Sequence, residues 1–295
     1  YLLGMGMSAL IIGTLLRNYT ALLLVQVVQG AAVMTMIFNI IALWKQEKMS
    51  PMTKVERNAP RPAFRDAWAD FNKNTDVARL IVTIFIGTMA FNMQDVLLEP
   101  YGGEILNLSV SSTTLLSLMW SGGALLGLAL AARWLSGGID PYRITGRGIV
   151  VGITAFSLVV LSAPMSSQAL FFMGAGLIGT GSGLFAVSTL TAAMTLDITG
   201  TAGRGLALGV WGAAQATAAG VSIFIGGGLR DLVNEAAISG ALGPVLNGPS
   251  VGYSAVYQLE IILLFITLIS LGPLVRAKNI TTQGPVRLEL PEFPT

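Results

Sequence analysis

The sequence predicts an all-α integral membrane protein. Of its 295 residues, 53% are hydrophobic and only 11% are charged, and the mean hydropathy is +0.72. Soluble domains carry about 25% charged residues, so this composition indicates lipid and not water as the main solvent. The apolar residues are also gathered into runs of about 20, which is the length of helix that crosses a bilayer.

Eight segments of the chain are predicted to be membrane spans. They are residues 1–16, 20–43, 78–99, 111–135, 146–163, 168–194, 205–228 and 254–275. The first begins inside an apolar run, without an initiator Met, a basic flank or a small-residue cleavage site. We therefore expect an incomplete first span and a chain that is a fragment.

The Lys and Arg residues predict the orientation, because they are enriched in cytoplasmic loops. Eight of them lie between Lys45 and Arg79. If this segment is cytoplasmic, the eight spans place 15 of the 17 Lys and Arg residues inside and leave only Arg17 and Arg230 outside. The prediction is a cytoplasmic central loop and a cytoplasmic C-terminus.

Two spans, a long basic loop and six further spans match the way in which a twelve-helix transporter of the major facilitator superfamily joins its halves. We predict this fold, with spans 5–12 of 12 present. Residues 1–44 would then be the last two helices of the N-terminal half-bundle, and 45–77 the cytoplasmic inter-half loop. Residues 78–278 would be the C-terminal six-helix half-bundle, and 279–295 a cytoplasmic tail.

The inter-half loop contains Phe64, Trp68 and Phe71 at helical spacing. This pattern fits a short amphipathic helix on the inner face, and it equally fits a solvated linker with a few aromatic residues.

The chain contains no cysteine and no histidine. Disulfides, zinc sites with Cys or His ligands and histidine-based triads are therefore excluded from these residues. There is no nucleotide-binding loop, no paired aspartate motif for prenyl transfer and no basic cluster typical of nucleic-acid binding. We expect a protein that is not an enzyme and binds no nucleic acid.

Small residues predict where helices approach closely in lipid. The small helix faces expected to allow this approach are formed by Gly123 with Gly127, Gly179 with Gly183, and Gly205 with Gly209. Gly226, Gly227 and Gly228 are expected to end or loosen their helix. The segment RDLVNEAA that follows is predicted to be a separate short helix before an irregular loop.

One apolar span carries acidic residues. The run VARLIVTIFIGTMAFNM continues into QDVLLEPYGG, residues 94–103. Spacings of four, three and four residues place Thr88, Asn92, Asp95 and Glu99 on one stripe of a helix. A carboxylate near the bilayer centre costs about 3 kcal/mol, so this stripe should face protein or a water-filled cavity.

An alternative interpretation of this stripe is structural. In it, Asp95 and Glu99 only reach the outer headgroup region, where the sequence Pro100–Gly103 ends the span. The last span adds a further acid, because Tyr253, Tyr257 and Glu260 share one helical face. Glu260 either joins the same site or bonds to a neighbouring helix.

The other polar residues within spans are predicted to have structural roles. Interhelical hydrogen bonding is expected for Gln26, Gln29, Asn39 and Gln215. Trp120 and Trp211 are expected to pack within the bundle, or to offer a flat surface to a planar ligand. The charges of Asp140, Arg143 and Arg147 are expected to latch helix ends on the inner face.

Two motifs carry a resemblance to a known family. They are QDVLLEPYGG with its preceding FN, and QGAAVMTMIFNIIALWKQE from Gln29 to Glu47, with the tail EFPT in addition. These residues resemble the PucC and LhaA family of light-harvesting complex assembly proteins from phototrophic bacteria, a branch of the major facilitator superfamily. The resemblance covers essentially the whole chain.

The resemblance implies a membrane assembly factor that delivers or positions bacteriochlorophyll for antenna polypeptides. The expected location is the bacterial inner membrane or the intracytoplasmic photosynthetic membrane. Antenna polypeptides are the expected partners, followed by the reaction centre, pigment-synthesis enzymes and membrane lipid. Bacteriochlorophyll would bind transiently, and carotenoid or lipid are further expected ligands.

The expected pigment or partner site consists of Asn92, Gln94, Asp95, Glu99, Tyr101 and Glu260. Because the chain has no His, Asp95 or Glu99 is expected to offer an oxygen ligand to bacteriochlorophyll magnesium, directly or through water. The alternative function is a proton-coupled secondary transporter of a small solute, in which Asp95 and Glu260 titrate.

Overall fold

A computed structural model of the chain describes residues 2–16, 20–44, 75–195 and 203–281. All regular structure in these ranges is helical. The helices are α1 (Leu2–Leu15), α2 (Ala21–Trp44), α3 (Thr75–Asn92), α4 (Leu98–Glu104), α5 (Val110–Ser136), α6 (Pro141–Ser162), α7 (Gln168–Met194), α8 (Gly203–Ile238) and α9 (Ser250–Thr281).

Seven segments of the described chain are long and apolar enough to cross a membrane. Six of them are the helices α2 and α5 to α9, and the seventh is Thr75–Glu104, which joins α3 to α4. The apolar helix α1 has 14 residues, or about 21 Å. The prediction of an all-α integral membrane protein is confirmed, and the major facilitator fold and its half-bundle division stay predictions.

Several spans are longer than predicted. The third begins at Thr75 and continues past Glu99 to Glu104, and α9 continues to Thr281. The glycines at 226–228 do not end their helix, and RDLVNEAA is the last part of α8 and not a separate helix. Both predictions were wrong because a membrane helix satisfies its backbone hydrogen bonds internally and so tolerates glycine.

Parts of three predictions lie outside the described residues. These are the inter-half loop up to residue 74, the aromatic segment 64–71 within it, and the tail from residue 282 onward.

Helices α5, α6 and α7 meet through glycines. A Cβ atom on Gly123 would overlap the carbonyl group of Gly176, and one on Gly179 would overlap the carbonyl oxygen of Trp120. On the other side of α7, a Cβ on Gly148 would lie 2.9 Å from the Gly181 carbonyl oxygen. The predicted small-residue packing is confirmed for α5 and α7, which approach backbone to backbone.

No described residue packs against the predicted small face of Gly205 and Gly209, since both have open space where a Cβ would lie. The residues that form hydrogen bonds between helices also differ from those predicted. Asn39 donates to the Thr35 carbonyl oxygen of its own helix at 2.9 Å. Hydroxyl groups supply the interhelical bonds, between Thr83 and Ser270 at 2.9 Å and between Thr145 and Ser188 at 2.8 Å.

Two further predicted residues lie at helix contacts. The indole of Trp211 donates to the hydroxyl oxygen of Thr189 at 3.3 Å, which joins α8 to α7. At the junction of α5 and α6, the Asp140 side chain accepts from the Tyr142 backbone at 2.8 Å and caps α6. There the guanidinium carbon of Arg147 lies 4.8 Å from the ring centroid of Trp134.

The third span, α3 with α4, runs antiparallel to α9, with Thr83 beside Ser270 at one end and Tyr101 beside Tyr253 at the other. The second end also holds Glu104, Arg230 and the α6 carbonyl group of Val159. The segments predicted to share the outer side therefore do lie together, as alternating spans require.

Candidate functional site: a polar cavity at a helix break

The third span is interrupted inside the bundle. Residues Met93–Val96 form a 3₁₀ turn, which we call the break, and Leu97 separates it from α4. The Leu97 backbone N–H bonds to the Gln94 carbonyl oxygen at 2.9 Å. Pro100 then falls in the first turn of α4, where its missing N–H leaves no helical bond unmade.

Packing against α8 accompanies the break, whose four residues include neither glycine nor proline. Gly226 of α8 lies so close that a Cβ there would be 3.0 Å from the Met93 carbonyl oxygen. A short 3₁₀ segment within a helix frequently marks a functional position. In this protein the acidic residues of the span lie in the break and just after it.

A cavity of about 250 Å³ lies beside the break, between α1, α4 and α5. We call it the polar cavity. Its walls are Met5, Gln94, Asp95, Leu98, Glu99, Leu116, Ser117 and Trp120. The acids of the third span thus face protein walls and a cavity, as their burial cost in lipid predicts.

Both acids of the polar cavity bond to neutral donors. The Ser117 hydroxyl donates to Glu99 Oε1 at 3.0 Å, which joins α5 to α4. The Gln94 side-chain amide donates to Asp95 Oδ1. Gln94 is itself only 1% exposed, and its amide also approaches the Phe91 carbonyl oxygen at 3.4 Å. The described residues of the walls include no Lys or Arg, and their charge is that of two carboxylates.

Three predicted site residues, Asn92, Tyr101 and Glu260, do not line the polar cavity. Asn92 donates from its side chain to the Thr88 carbonyl oxygen at 2.7 Å, within α3. Tyr101 is fully buried, with its ring centroid 5.4 Å from that of Phe171 and 5.5 Å from that of Tyr257. The single stripe expected from helical spacing is divided because the break changes the helical register between Asn92 and Glu99.

Glu260 approaches the break from α9. It is fully buried, and its carboxyl group lies beside the backbone of Gln94 and within electrostatic reach of Asp95. Within the described part of the chain, neither of its oxygens has a side-chain hydrogen-bond partner, and the hydroxyl of fully buried Tyr257 has no partner either. An unpaired carboxyl in a protein interior is destabilising, so its presence behind the cavity wall calls for a functional explanation.

A second polar cluster lies one turn beyond the cavity. Arg230 donates to Glu104 Oε2 at 2.8 Å and to the Tyr253 hydroxyl oxygen at 2.8 Å. The Tyr253 hydroxyl also donates to Glu104 at 2.8 Å, and the guanidinium lies 4.6 Å from the Tyr253 ring centroid. This cluster, which joins α4, α8 and α9, was not predicted. Glu104 and Arg230 are 126 residues apart in sequence, and no local pattern links them.

The polar cavity fits only part of the expected pigment chemistry. Carboxylate oxygens suit magnesium, and the described residues hold no group of three His, Cys, Asp or Glu that would form a metal cage. However, its volume of about 250 Å³ is below the roughly 300–1,000 Å³ of small-molecule sites. The cavity has room for a side chain or the edge of a ligand, and a complete tetrapyrrole does not fit inside it.

A larger groove of about 510 Å³ runs between α5 and α7 on the other side of α5. Gly122, Gly123 and Gly176 form its floor, with Met119 and Phe172 among its apolar walls. Such a surface suits an apolar chain.

Comparison with known proteins places the sequence in a family. A sequence model described as PUCC protein matches residues 1–279. The chain belongs to this PUCC family. The resemblance predicted from its two motifs is thereby confirmed.

Curated relatives agree with the family match. A protein of Rhodobacter capsulatus, described as an uncharacterized protein in the puhA-bchM intergenic region, is 52% identical over all of this chain and 62% of its own length. Protein PucC of Rhodovulum sulfidophilum is 45% identical over 82% of this chain and 54% of its own length. Protein PucC of Cereibacter sphaeroides is 39% identical over 94% of this chain and 58% of its own length. The chain thus spans little more than half the length of the relatives it matches.

Proposed function

We propose that this protein is a membrane assembly factor for bacterial light-harvesting complexes. The observation that carries the proposal is the PUCC family match over residues 1–279, since the PucC and LhaA proteins that the sequence resembles are implicated in antenna assembly. The described residues support a binding role and not a catalytic one. Their acids lie at a helix break and a small cavity, with neutral hydrogen-bond donors around them.

The proposed partners are antenna polypeptides, with the reaction centre and pigment-synthesis enzymes as further members of the assembly. The polar cavity is the proposed contact, through Gln94, Asp95 and Glu99. Glu260 supports it from behind the break, and Tyr101 and Asn92 hold the two helical segments on either side. The buried aromatic packing of Tyr101 supports this positioning role.

Bacteriochlorophyll delivery is the part of the proposal that rests on the resemblance alone. The size of the polar cavity argues against a complete tetrapyrrole there. An apolar chain of carotenoid or lipid is proposed for the groove between α5 and α7, whose walls are almost entirely apolar.

We place the protein in the inner membrane or the intracytoplasmic photosynthetic membrane, with the central loop and C-terminus cytoplasmic. The distribution of Lys and Arg in the sequence supports this orientation. Thiol labelling would test it directly, because the chain contains no cysteine. A single cysteine introduced in the loop should react with a membrane-impermeant reagent only from the cytoplasmic side.

Affinity purification from a phototrophic host in mild detergent tests the proposed function. Antenna subunits and a bacteriochlorophyll absorption band should copurify with the tagged protein, and both should be absent from a mock purification. Identification of the subunits would also show whether the client is the core or the peripheral antenna. Absence of antenna subunits under conditions that retain other membrane complexes would contradict the proposal.

Solute flux in reconstituted vesicles distinguishes the proposed assembly factor from the alternative function, a proton-coupled transporter. A proton gradient should drive no solute uptake by the assembly factor. Uptake that is lost on Asp95→Asn or Glu260→Gln would favour the transporter instead.

A further inference from the structure

The polar cavity and the acid behind it point to the chemistry of the group that binds there. We infer that the cavity receives a positively charged side chain, Lys or Arg, from a transmembrane polypeptide. This inference rests on the proposed function and specifies the part of the client that the site recognises.

Charge is the first argument. Asp95 and Glu99 both line the cavity, and their only hydrogen-bond donors among the described residues are the amide of Gln94 and the hydroxyl of Ser117. Glu104, one turn further along the chain, shows the contrasting arrangement, because Arg230 pairs with it at 2.8 Å. The bundle therefore pairs an acid with arginine outside the cavity and with neutral donors inside it.

Glu260 is the second, independent observation. Its carboxyl group is fully buried, lies beside the backbone of Gln94, which lines the cavity, and has no side-chain hydrogen-bond partner among the described residues. The described groups around it supply no positive charge. Asp95 lies on the break, Tyr101 on α4 and Tyr257 on α9 itself.

The remaining titratable groups of the neighbouring helices lie further away. Arg230 of α8 pairs with Glu104 at the level of Tyr253, about two turns from Glu260 along α9. On α6, Tyr142, Arg143 and Arg147 lie towards the opposite end, where Gly146 is level with Leu271. A cation in the cavity would thus lie beside the two carboxyl groups of Asp95 and Glu99 and would also be attracted by the buried Glu260 carboxyl behind the wall.

Size and shape select a side chain as the source of that cation. The cavity of about 250 Å³ is smaller than typical small-molecule sites of roughly 300–1,000 Å³. Met5, Leu98 and Leu116 provide apolar walls for the methylene stem of Lys or Arg. Trp120 adds an aromatic surface, which attracts a cation placed over its face. A charged residue within a client helix would also be sheltered there from lipid.

A pair of synthetic peptides tests the inference with the protein in lipid nanodiscs. Both are apolar helices of membrane-spanning length, identical except for one Lys or norleucine placed a turn inside one end, and each carries a fluorescent label. Close charge pairs at interfaces contribute enough to change affinity tenfold or more, so the Lys peptide should bind at least about tenfold more tightly.

Asp95→Asn or Glu99→Gln alone should reduce this preference for the Lys peptide. The double variant should abolish it. Both substitutions keep a carbonyl oxygen to accept the bonds from Gln94 and Ser117, so folding should be retained. Glu235→Gln is the matched control, because Glu235 is an exposed acid of α8 that lies outside the cavity. It should retain the full preference for Lys.

Equal binding of the two peptides would overturn the inference, as would a preference that survives in the double variant. Displacement of the Lys peptide by millimolar methylammonium or magnesium chloride, with tighter binding of those ions than of the peptide, would assign the site to a free cation and also overturn it. If antenna subunits copurify with the double variant as well as with the unmodified protein, this inference fails and the proposed function stands. If they copurify with neither, the proposed function fails.

Discussion

Arg230 and Glu104 form an ion pair of 2.8 Å that joins α8 to α4. The Tyr253 hydroxyl bonds to both partners at 2.8 Å, so α9 belongs to the same cluster. This cluster holds the end of α4, and the break at the other end of α4 carries the acids of the polar cavity. The position of Glu99 is therefore fixed from both directions along the chain.

Glu104→Gln should lower the apparent melting temperature of the purified protein. The Glu104 side chain is 51% exposed, and a pair of this exposure contributes up to about 1 kcal/mol, or a shift of roughly 2–4 °C. Asp231→Asn is the control, because Asp231 also pairs with Arg230 but is 71% exposed and lies next to it in sequence. Its shift should be smaller, and equal shifts in differential scanning fluorimetry would contradict the prediction.

Gly179→Val should destabilise the bundle strongly. A side chain there would overlap the Trp120 carbonyl oxygen on α5, and overpacking in a close contact costs about 1–3 kcal/mol. Gly122→Val is the matched control on α5, where nothing lies within 4 Å of an added Cβ. Fluorescence-detected size-exclusion chromatography after heating should show early loss of the monodisperse peak for the first variant alone. Similar heat sensitivity of both would show that close α5–α7 contact is not required.

Gly226→Ala should displace the break, whereas Gly227→Ala should not. The added methyl group at 226 would lie 3.0 Å from the Met93 carbonyl oxygen, and at 227 it meets open space. Gly227→Ala should raise the stability of the folded protein by about 0.5–1 kcal/mol, because alanine loses less backbone entropy than glycine in a helix. A single cysteine at position 117 in this cysteine-free chain reports on the polar cavity through its labelling rate. The rate should change in the first variant only, and an unchanged rate in both would refute the role of Gly226.

Glu260→Gln should leave the stability unchanged or increase it. Neither carboxyl oxygen makes a hydrogen bond to a described side chain, so no such bond is lost, and a neutral amide of the same shape avoids the penalty of a buried, unpaired acid. The same variant should weaken binding of the Lys peptide, because one of the three carboxyl groups is removed. A clear loss of stability in thermal unfolding would instead assign Glu260 a structural role.

The spans were predictable because lipid imposes a simple rule on length and composition. The direction in which successive spans cross the membrane was also predicted, because Lys and Arg are enriched in the cytoplasmic loops. The break was not predictable from Met93–Val96, which includes no helix-breaking residue. It coincides with a close contact to Gly226 of α8, more than a hundred residues away, and tertiary packing of this kind can override local propensity.

Part of the candidate site was also predictable from the way in which lipid constrains the sequence. Asp95 and Glu99 line the polar cavity, as the cost of acids in lipid required. Tyr101 was expected in the same site on the strength of the family resemblance and instead lies in the aromatic core, away from the polar cavity. Ser117 was missed, although a serine three residues before Trp120 in an apolar span is the signal that would have found it.

The glycine contacts of α5, α6 and α7 decide which parts of the bundle can move. Where one backbone rests on another, a helix cannot slide by a fraction of a turn without collision, so these three behave as a single block. Helices α8 and α9 reach that block through side chains such as Trp211, whose rotamers can change. Any opening that admits a client should therefore shift α8 and α9, with the break, against a stationary α5–α7 unit.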